Sequence, residues 1–337
     1  MRLRTSDPKK PGLRRIRHGR GFRYTDADGS AVRDPVQLER IRALVIPPAW
    51  TDVWICPWAG GHIQALGTDA AGRRQYLYHP QFRAQQDAAK HEHVLDLATR
   101  LPDLRTRIEA DLQQRGLTRE RVLSCAVRLL DLGFFRIGSD AYARDNGSYG
   151  LTTLLREHVT SRRGALEFDF PAKSGKQRVQ ALTDEATCRA VSALRRRRSG
   201  GDRLLAYWQQ GAWHEVHGQE LNDHLKELTG LEVSAKDFRT WHATVLAAVG
   251  LAVSEQMAGQ APSLRKRAEA RAVREVADYL GNTPAVCRAS YINPRLFELY
   301  EDGHTISAAL PALGSDARSG LPGTQGQVEK AVRDLLR

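Results

Sequence analysis

The chain has 337 residues, 41% of them hydrophobic and 27% charged, which is enough length for two ordinary domains or one large one and enough apolar content to bury a core. That excludes a disulfide-stapled miniprotein and a wholly disordered chain. Lys and Arg number 51 against 39 Asp and Glu, a formal charge of +12, and this excess points to a polyanionic partner such as nucleic acid. Cys56, Cys125, Cys188 and Cys287 lie far apart, with no C-x-x-C pair and no histidine at zinc-ligand spacing; they read as reduced core thiols.

Residues 1–24 carry nine Lys or Arg and one acid, Asp7, among Pro8, Pro11 and several glycines and serines, so residues 1–20 are expected to form a flexible basic arm. From Phe22 to Tyr78, short strand-like runs are separated by Asp28-Gly29, by Gly60-Gly61 and by a turn inside HIQALGTDAAGRRQYLY. These predict a β-rich domain over 21–85. From Phe82 the period lengthens: Val94, Leu95, Leu97, Ala98 and Leu101 recur at helical spacing, and a mainly helical domain is expected over 86–337. Within it, Val122, Cys125, Ala126, Leu129, Leu130 and Leu132 predict a strong helix over 119–135. Leu166, Phe168 and Phe170 alternate before Ser174-Gly175-Lys176 and predict a hairpin near 165–182. Further helices are expected at about 184–198, 218–229, 234–254, 263–281, 284–300 and 325–336.

Several tempting motifs fail on their own chemistry. Asp26, Asp28 and Gly29 lack the later oxygen ligands of a calcium loop. His91-Glu92-His93 and His214 with His217 miss the spacing that puts two zinc ligands one helical turn apart, and Ser174-Gly175-Lys176 lacks the first glycine of a phosphate-binding loop. Arg195–Arg198 read first as a solvated helix end and second as a phosphate contact. The longest apolar stretch, near Trp241 to Ser254, is too short to span a bilayer. A soluble, intracellular protein without a membrane partner is expected.

Four segments taken in order carry more: FFRIGS (134–139), FPAKSGK (170–176), KDFRTW (236–241) and GNTPAVCRASY (281–291). Together with IPPAW (46–50), GRRQYLYHP (72–80) and SYGLTTL (148–154), they resemble the type IB DNA topoisomerases, in particular their poxvirus-like bacterial branch. The resemblance spans roughly residues 20 to 300. It implies an α+β protein, with a small β-rich N-terminal lobe and a larger, mainly helical catalytic lobe forming a clamp around duplex DNA. It also implies an ATP-independent, nucleoid-associated cytoplasmic monomer that needs no cofactor or metal.

On that resemblance Tyr291 is the nucleophile, forming a 3′-phosphotyrosyl link that preserves the energy of the broken phosphodiester. A free phenol ionises near pH 10, so the attack needs cations nearby. Arg136 and Arg239 suit the pentavalent transition state because a guanidinium fork matches non-bridging phosphate oxygens and keeps its charge. Lys173 matches the general acid that protonates the departing 5′ oxygen, with Lys176 as its competitor and otherwise a phosphate contact. Where the family has a histidine, nine residues before the tyrosine, this chain has Asn282, a neutral amide that can donate to a phosphate oxygen but cannot titrate. In the small lobe Arg73, Arg74, Gln75, Tyr76 and Tyr78 fall where the family contacts DNA. Strand alternation puts Arg74, Tyr76 and Tyr78 on one face and Arg73, Gln75 and Leu77 on the other.

Two other readings compete. A tyrosine recombinase uses a similar Arg, Lys, Arg, Tyr set, but its H-x-x-R box is missing, since Lys236 stands three residues before Arg239. A non-catalytic basic DNA clamp would leave Tyr291 and Lys173 dispensable.

Overall fold

Between Leu13 and Tyr78 the side chains alternate, and five strands form: β1 (Leu13–His18), β2 (Gly21–Thr25), β3 (Thr51–Ile55), β4 (Ile63–Thr68) and β5 (Arg74–Tyr78). They make one antiparallel sheet in the order β2-β1-β3-β4-β5. The computed structural model describes residues 2–162, 164–258, 261–314 and 323–337. The chain divides into two units, Met1–Lys90 and His91–Arg337.

One face of the sheet is apolar (Leu13, Val53, Ile55, Ala65) and packs on Ile41 of helix α1 (Pro35–Ala43). Sequence reading overlooked α1, although Asp34 caps it through Val36 N and Pro35 occupies its first turn. The other face holds Trp54, Cys56 and Leu66, and the N-terminal residues close over it. Arg4 N donates to Gly60 O (2.8 Å) and His62 N to Arg4 O (2.9 Å). Ser6 Oγ donates to Ile63 O (3.0 Å), and Trp54 Nε1 donates to Lys10 O (3.1 Å).

The expected flexible arm over 1–20 is therefore corrected: its second half is β1, and its first half is pinned by backbone and serine hydrogen bonds. Arg15, counted there as a loose cation, donates to the carbonyls of Ile46, Pro47 and Trp50 at 2.7–3.0 Å and so shapes the IPPAW segment. Composition hid this, because a strand that alternates Leu13 and Ile16 with arginines is compositionally a basic tail.

The division falls at 90/91 rather than 85/86. Helix α2 (Pro80–Leu112) carries Phe82 in its first turn, and that ring packs on His62 (4.9 Å) and Tyr78 (5.6 Å), so the first turns belong to the β-rich unit.

The second unit is mainly helical: α3 (Arg119–Gly133), α4 (Asp140–Asn146), α5 (Glu185–Arg196), α6 (Gly218–Thr229), α7 (Ala235–Ala258), α8 (Pro262–Leu280), α9 (Pro284–Ser290), α10 (Arg295–Glu301) and α11 (Gln327–Leu336). Helix α3 is buried along nearly its whole length and packs against α5, α6 and α7. The expected hairpin is present as β7 (Ala165–Pro171) and β8 (Gln177–Leu182), with β6 (Val159–Arg162) added beside β7. A further hairpin, β9 (Ala206–Gln209) with β10 (Ala212–Glu215), went unread; its signal was Trp208 and Trp213 facing each other across Gln210-Gly211, both at positive φ.

The helix expected over 284–300 is two helices. Asn293 N is held by Thr244 Oγ1 (3.1 Å) and Pro294 opens α10, so the chain leaves helical geometry at Tyr291.

A buried ionic cluster joins the distant ends of this unit. Arg105 on α2 forks onto Asp131 of α3 (2.9 Å) and Glu329 of α11 (2.6 Å), and Trp241 Nε1 donates to Glu329 (2.6 Å). Burial works against the charge of Asp131, but Arg105 outweighs it and holds the carboxyl below its ordinary range.

Candidate active site

Arg136 is placed by the end of α3. Phe134 turns the chain in the left-handed conformation (φ 53°), and Phe135 inserts between Phe168 (5.0 Å) and Phe170 (6.2 Å) of β7. The next two carbonyls are then captured: Leu151 N donates to Arg136 O (2.8 Å), and Thr152 gives both N–H and hydroxyl to Ile137 O (2.8 and 2.9 Å). Gly138 and Gly150 touch at this crossing, where a Cβ on Gly150 would lie 2.5 Å from Gly138 Cα. The SYGLTTL segment is thus the support on which Arg136 stands.

Arg239, in the second turn of α7, is 4% exposed. Its Nη1 donates to Phe134 O and its Nη2 to Leu280 O (2.9 Å), which ties the end of α3 to the end of α8. Its Nε is buried with no partner among the described residues. Burial, and after it the Arg136 charge, push Arg239 down to about 10, which leaves it charged at neutral pH.

Helix α8 ends at Leu280, and Gly281 takes the left-handed turn (φ 62°) that only glycine adopts without strain. Arg136 Nη2 reaches this turn, donating to Gly281 O (2.9 Å) and to Asn282 Oδ1 (2.7 Å). With its oxygen so occupied, Asn282 keeps a buried Nδ2 that makes no hydrogen bond among the described residues. Thr283, not Asn282, caps α9, accepting from Val286 N. Asn282 is therefore free of the capping duty its position suggests. The Cys287 thiol lies beside it; burial raises that thiol against the pull of Arg239 and Asn282.

Tyr291 closes α9 with φ −126° and packs partly buried on the core. The Arg239 guanidinium carbon is 5.5 Å from its ring centroid, and its phenol acts electrostatically on both Arg136 and Arg239. Four of the five sequence-predicted residues, Arg136, Arg239, Asn282 and Tyr291, thus converge from three separate stretches of chain.

Lys173 and Lys176 occupy the tip between β7 and β8, in a turn closed by Ala172 N to Lys176 O (2.8 Å) with Gly175 at φ 69°. Both are exposed, and neither ammonium makes a hydrogen bond or ion pair among the described residues. The structure does not bring either lysine onto Tyr291. Sequence reading missed Arg178, two positions beyond Lys176 on β8, which lines one recess together with Arg136 and Arg239. Its signal was register: opposite Phe170, it shares the inward face of the hairpin.

In the β-rich unit Arg74, Tyr76 and Tyr78 are exposed on one face of β5, and the two tyrosine rings stack at 6.0 Å. Arg73 and Gln75 are instead drawn to Asp69: Arg73 N and Nε each donate at 2.9 Å, and Gln75 Nε2 at 2.9 Å. These bonds, led by the Arg73 amide, hold the Asp69 carboxyl down to about 2. They fix the β4–β5 turn. Among the described residues no helix is long and apolar enough to cross a membrane.

Comparison with known proteins agrees with this geometry. The eukaryotic DNA topoisomerase I catalytic core family matches residues 79–305, which contain the whole converging set. The bacterial DNA topoisomerase IB N-terminal domain matches residues 21–69. A DNA topoisomerase 1B from Acanthamoeba polyphaga mimivirus is 30% identical over 299 residues, covering 86% of this chain and 88% of the viral protein. Two arginines locked to the loop that carries Asn282, a tyrosine against one of them, and two family matches in the expected order lead to one conclusion: the chain belongs to the type IB DNA topoisomerases.

Proposed function

We propose that the protein relaxes supercoiled duplex DNA by transient cleavage of one strand, without ATP or a metal ion. The Tyr291 phenol gives its proton to water as its oxygen attacks the scissile phosphorus, the O–P bond to tyrosine forms, and the P–O5′ bond breaks. The 5′ oxygen leaves with a proton from the Lys173 ammonium. After the DNA swivels, the 5′ hydroxyl returns that proton to Lys173 as it attacks the phosphotyrosine, the Tyr291 oxygen leaves and regains a proton from water, and the strand is restored.

The phosphorane carries more negative charge on its non-bridging oxygens than the ground state does, so cations fixed in advance stabilise it selectively. Arg136, Arg239 and the unpartnered Asn282 amide are held ready for those oxygens. Arg74, Tyr76 and Tyr78 supply exposed groups for a duplex groove and its phosphates.

The observation that carries this reading is the locking of Arg136 and Arg239 to the Leu280–Asn282 turn beside Tyr291. The test is relaxation of positively and negatively supercoiled plasmid in EDTA without ATP. Tyr291→Phe is expected to abolish relaxation and the 3′-linked covalent adduct while duplex binding stays within about threefold, because no cation is removed. A residual adduct in that variant, or an adduct on a 5′ phosphate, overturns the assignment.

A further inference from the structure

Arg178 has no place in the scheme above, and its surroundings are unusual for an arginine. It stands half-buried on β8, and its only hydrogen bond among the described residues is from Nε to Gln180 Oε1 (3.2 Å). Among the described residues neither terminal nitrogen has a protein acceptor, and no carboxylate pairs with it. Asp278, which lines the adjoining groove of about 480 Å3 with Arg178, makes no ion pair with it.

What Arg178 does face is more positive charge. A Cβ on Gly281 would lie 3.8 Å from Arg178 Nη1 and 3.9 Å from Arg136 Nη1, so both guanidiniums press on the same turn. Burial and then the Arg136 charge lower the Arg178 affinity for its proton, and Arg178 in turn acts on Arg239. A half-buried cation with no counter-ion beside two others is destabilising in isolation. Such an arrangement becomes favourable when an anion enters, because each guanidinium then gains charge-assisted bonds to oxygen.

Arg178 Nη1 and Arg136 Nη1, neither with a hydrogen bond among the described residues, meet at the turn that carries Asn282. We propose that Arg178 is a third guanidinium of the catalytic site, contacting a non-bridging oxygen of the phosphodiester that Tyr291 attacks and supplying positive charge there that the neutral Asn282 does not. The inference rests on the proposed strand-cleavage reaction. It assigns to Arg178 the scissile phosphate itself rather than a neighbouring one.

The test measures single-turnover cleavage and equilibrium binding of a short duplex by wild type, Arg178→Gln and Arg178→Lys. Glutamine keeps a donor and most of the volume while removing the charge; lysine keeps the charge without the fork. Arg178→Gln is expected to cleave about 10- to 100-fold more slowly, with affinity within about threefold and an unchanged melting temperature, and Arg178→Lys to recover part of the loss.

The decisive arm replaces the scissile phosphate by a methylphosphonate, which is uncharged. On at least one of its two diastereomers the Arg178→Gln defect should shrink to within about twofold, since the charge the guanidinium answers is gone. A defect of equal size on both substrates, or one expressed as lost affinity, overturns the inference and makes Arg178 a flanking-phosphate or packing residue. Cleavage by Arg178→Gln at the wild-type rate also overturns it and leaves the general reading intact. Failure of wild type to form any adduct overturns both.

Discussion

Asn282 is where this chain departs from its family's pattern, and its geometry makes the departure testable. Arg136 occupies Oδ1, so the amide is turned with Nδ2 buried and without a hydrogen bond among the described residues. Asn282→Ala is expected to slow cleavage on the order of 10²-fold in single-turnover assays, the usual cost of one oxyanion-type donor, with little change in DNA affinity. Because Thr283 caps α9, the melting temperature should hardly move; a large drop would show that the residue supports the fold instead. Motif order alone led to the residues of this site, since Phe134-Phe135-Arg136 and Thr283-Pro284 sit beside side chains whose chemistry the resemblance explains. Arg178 stayed hidden because nothing in its neighbourhood along the chain marks it. Its meaning comes from Arg136 and Gly281, 42 and 103 positions away by subtraction of their residue numbers.

Elements built on local periodicity were legible: α3, α6, α8 and the β7–β8 hairpin lie within a few residues of expectation. Those set by long-range partners were not. Strand β1 is recognisable as a strand only once Trp54 and Ile55 pair with it, and the break at Tyr291 depends on Thr244, 49 positions from the Asn293 amide it accepts. The support beneath Arg136 gives the sharpest test at this scale. Gly150 contacts Gly138 backbone so closely that a methyl group forces main chain, not a pliable side chain, to move. Gly150→Ala is expected to cost about 1–3 kcal/mol in chemical denaturation, as overpacking does, and to slow cleavage at least tenfold by displacing Arg136. Wild-type cleavage in that variant would mean that the crossing does not set the position of the guanidinium.

Across the whole molecule, three histidines bear on how stability follows pH. His158, His224 and His242 are each held below the ordinary 6.5, first by burial. The folded protein therefore takes up protons on them less readily than the unfolded chain does. Their contribution to stability is complete above about pH 6.5 and is lost as pH falls from there through their lower folded values. Thermal midpoints should decline between pH 7.5 and 5.5, and His242→Gln, which removes one of these buried imidazoles, should flatten that decline. An unchanged slope in the variant would assign the acid sensitivity to other groups.

The reach of the ionic cluster also sets when, during synthesis, each unit can become complete. Ser6 meets Ile63 across only 57 positions, and every strand of the first sheet has been made by Tyr78, so that unit can close while most of the chain is still unmade. Arg105 meets Glu329 across 224 positions. At about 5–20 residues per second the ribosome needs about 11–45 seconds to supply that partner. During this interval Arg136, Arg178, Arg239 and Tyr291 emerge one after another while Arg105 and Asp131 still lack Glu329. The β-rich unit can thus be complete well before the ionic cluster of the second unit, which closes only once the last turns of α11 have been made.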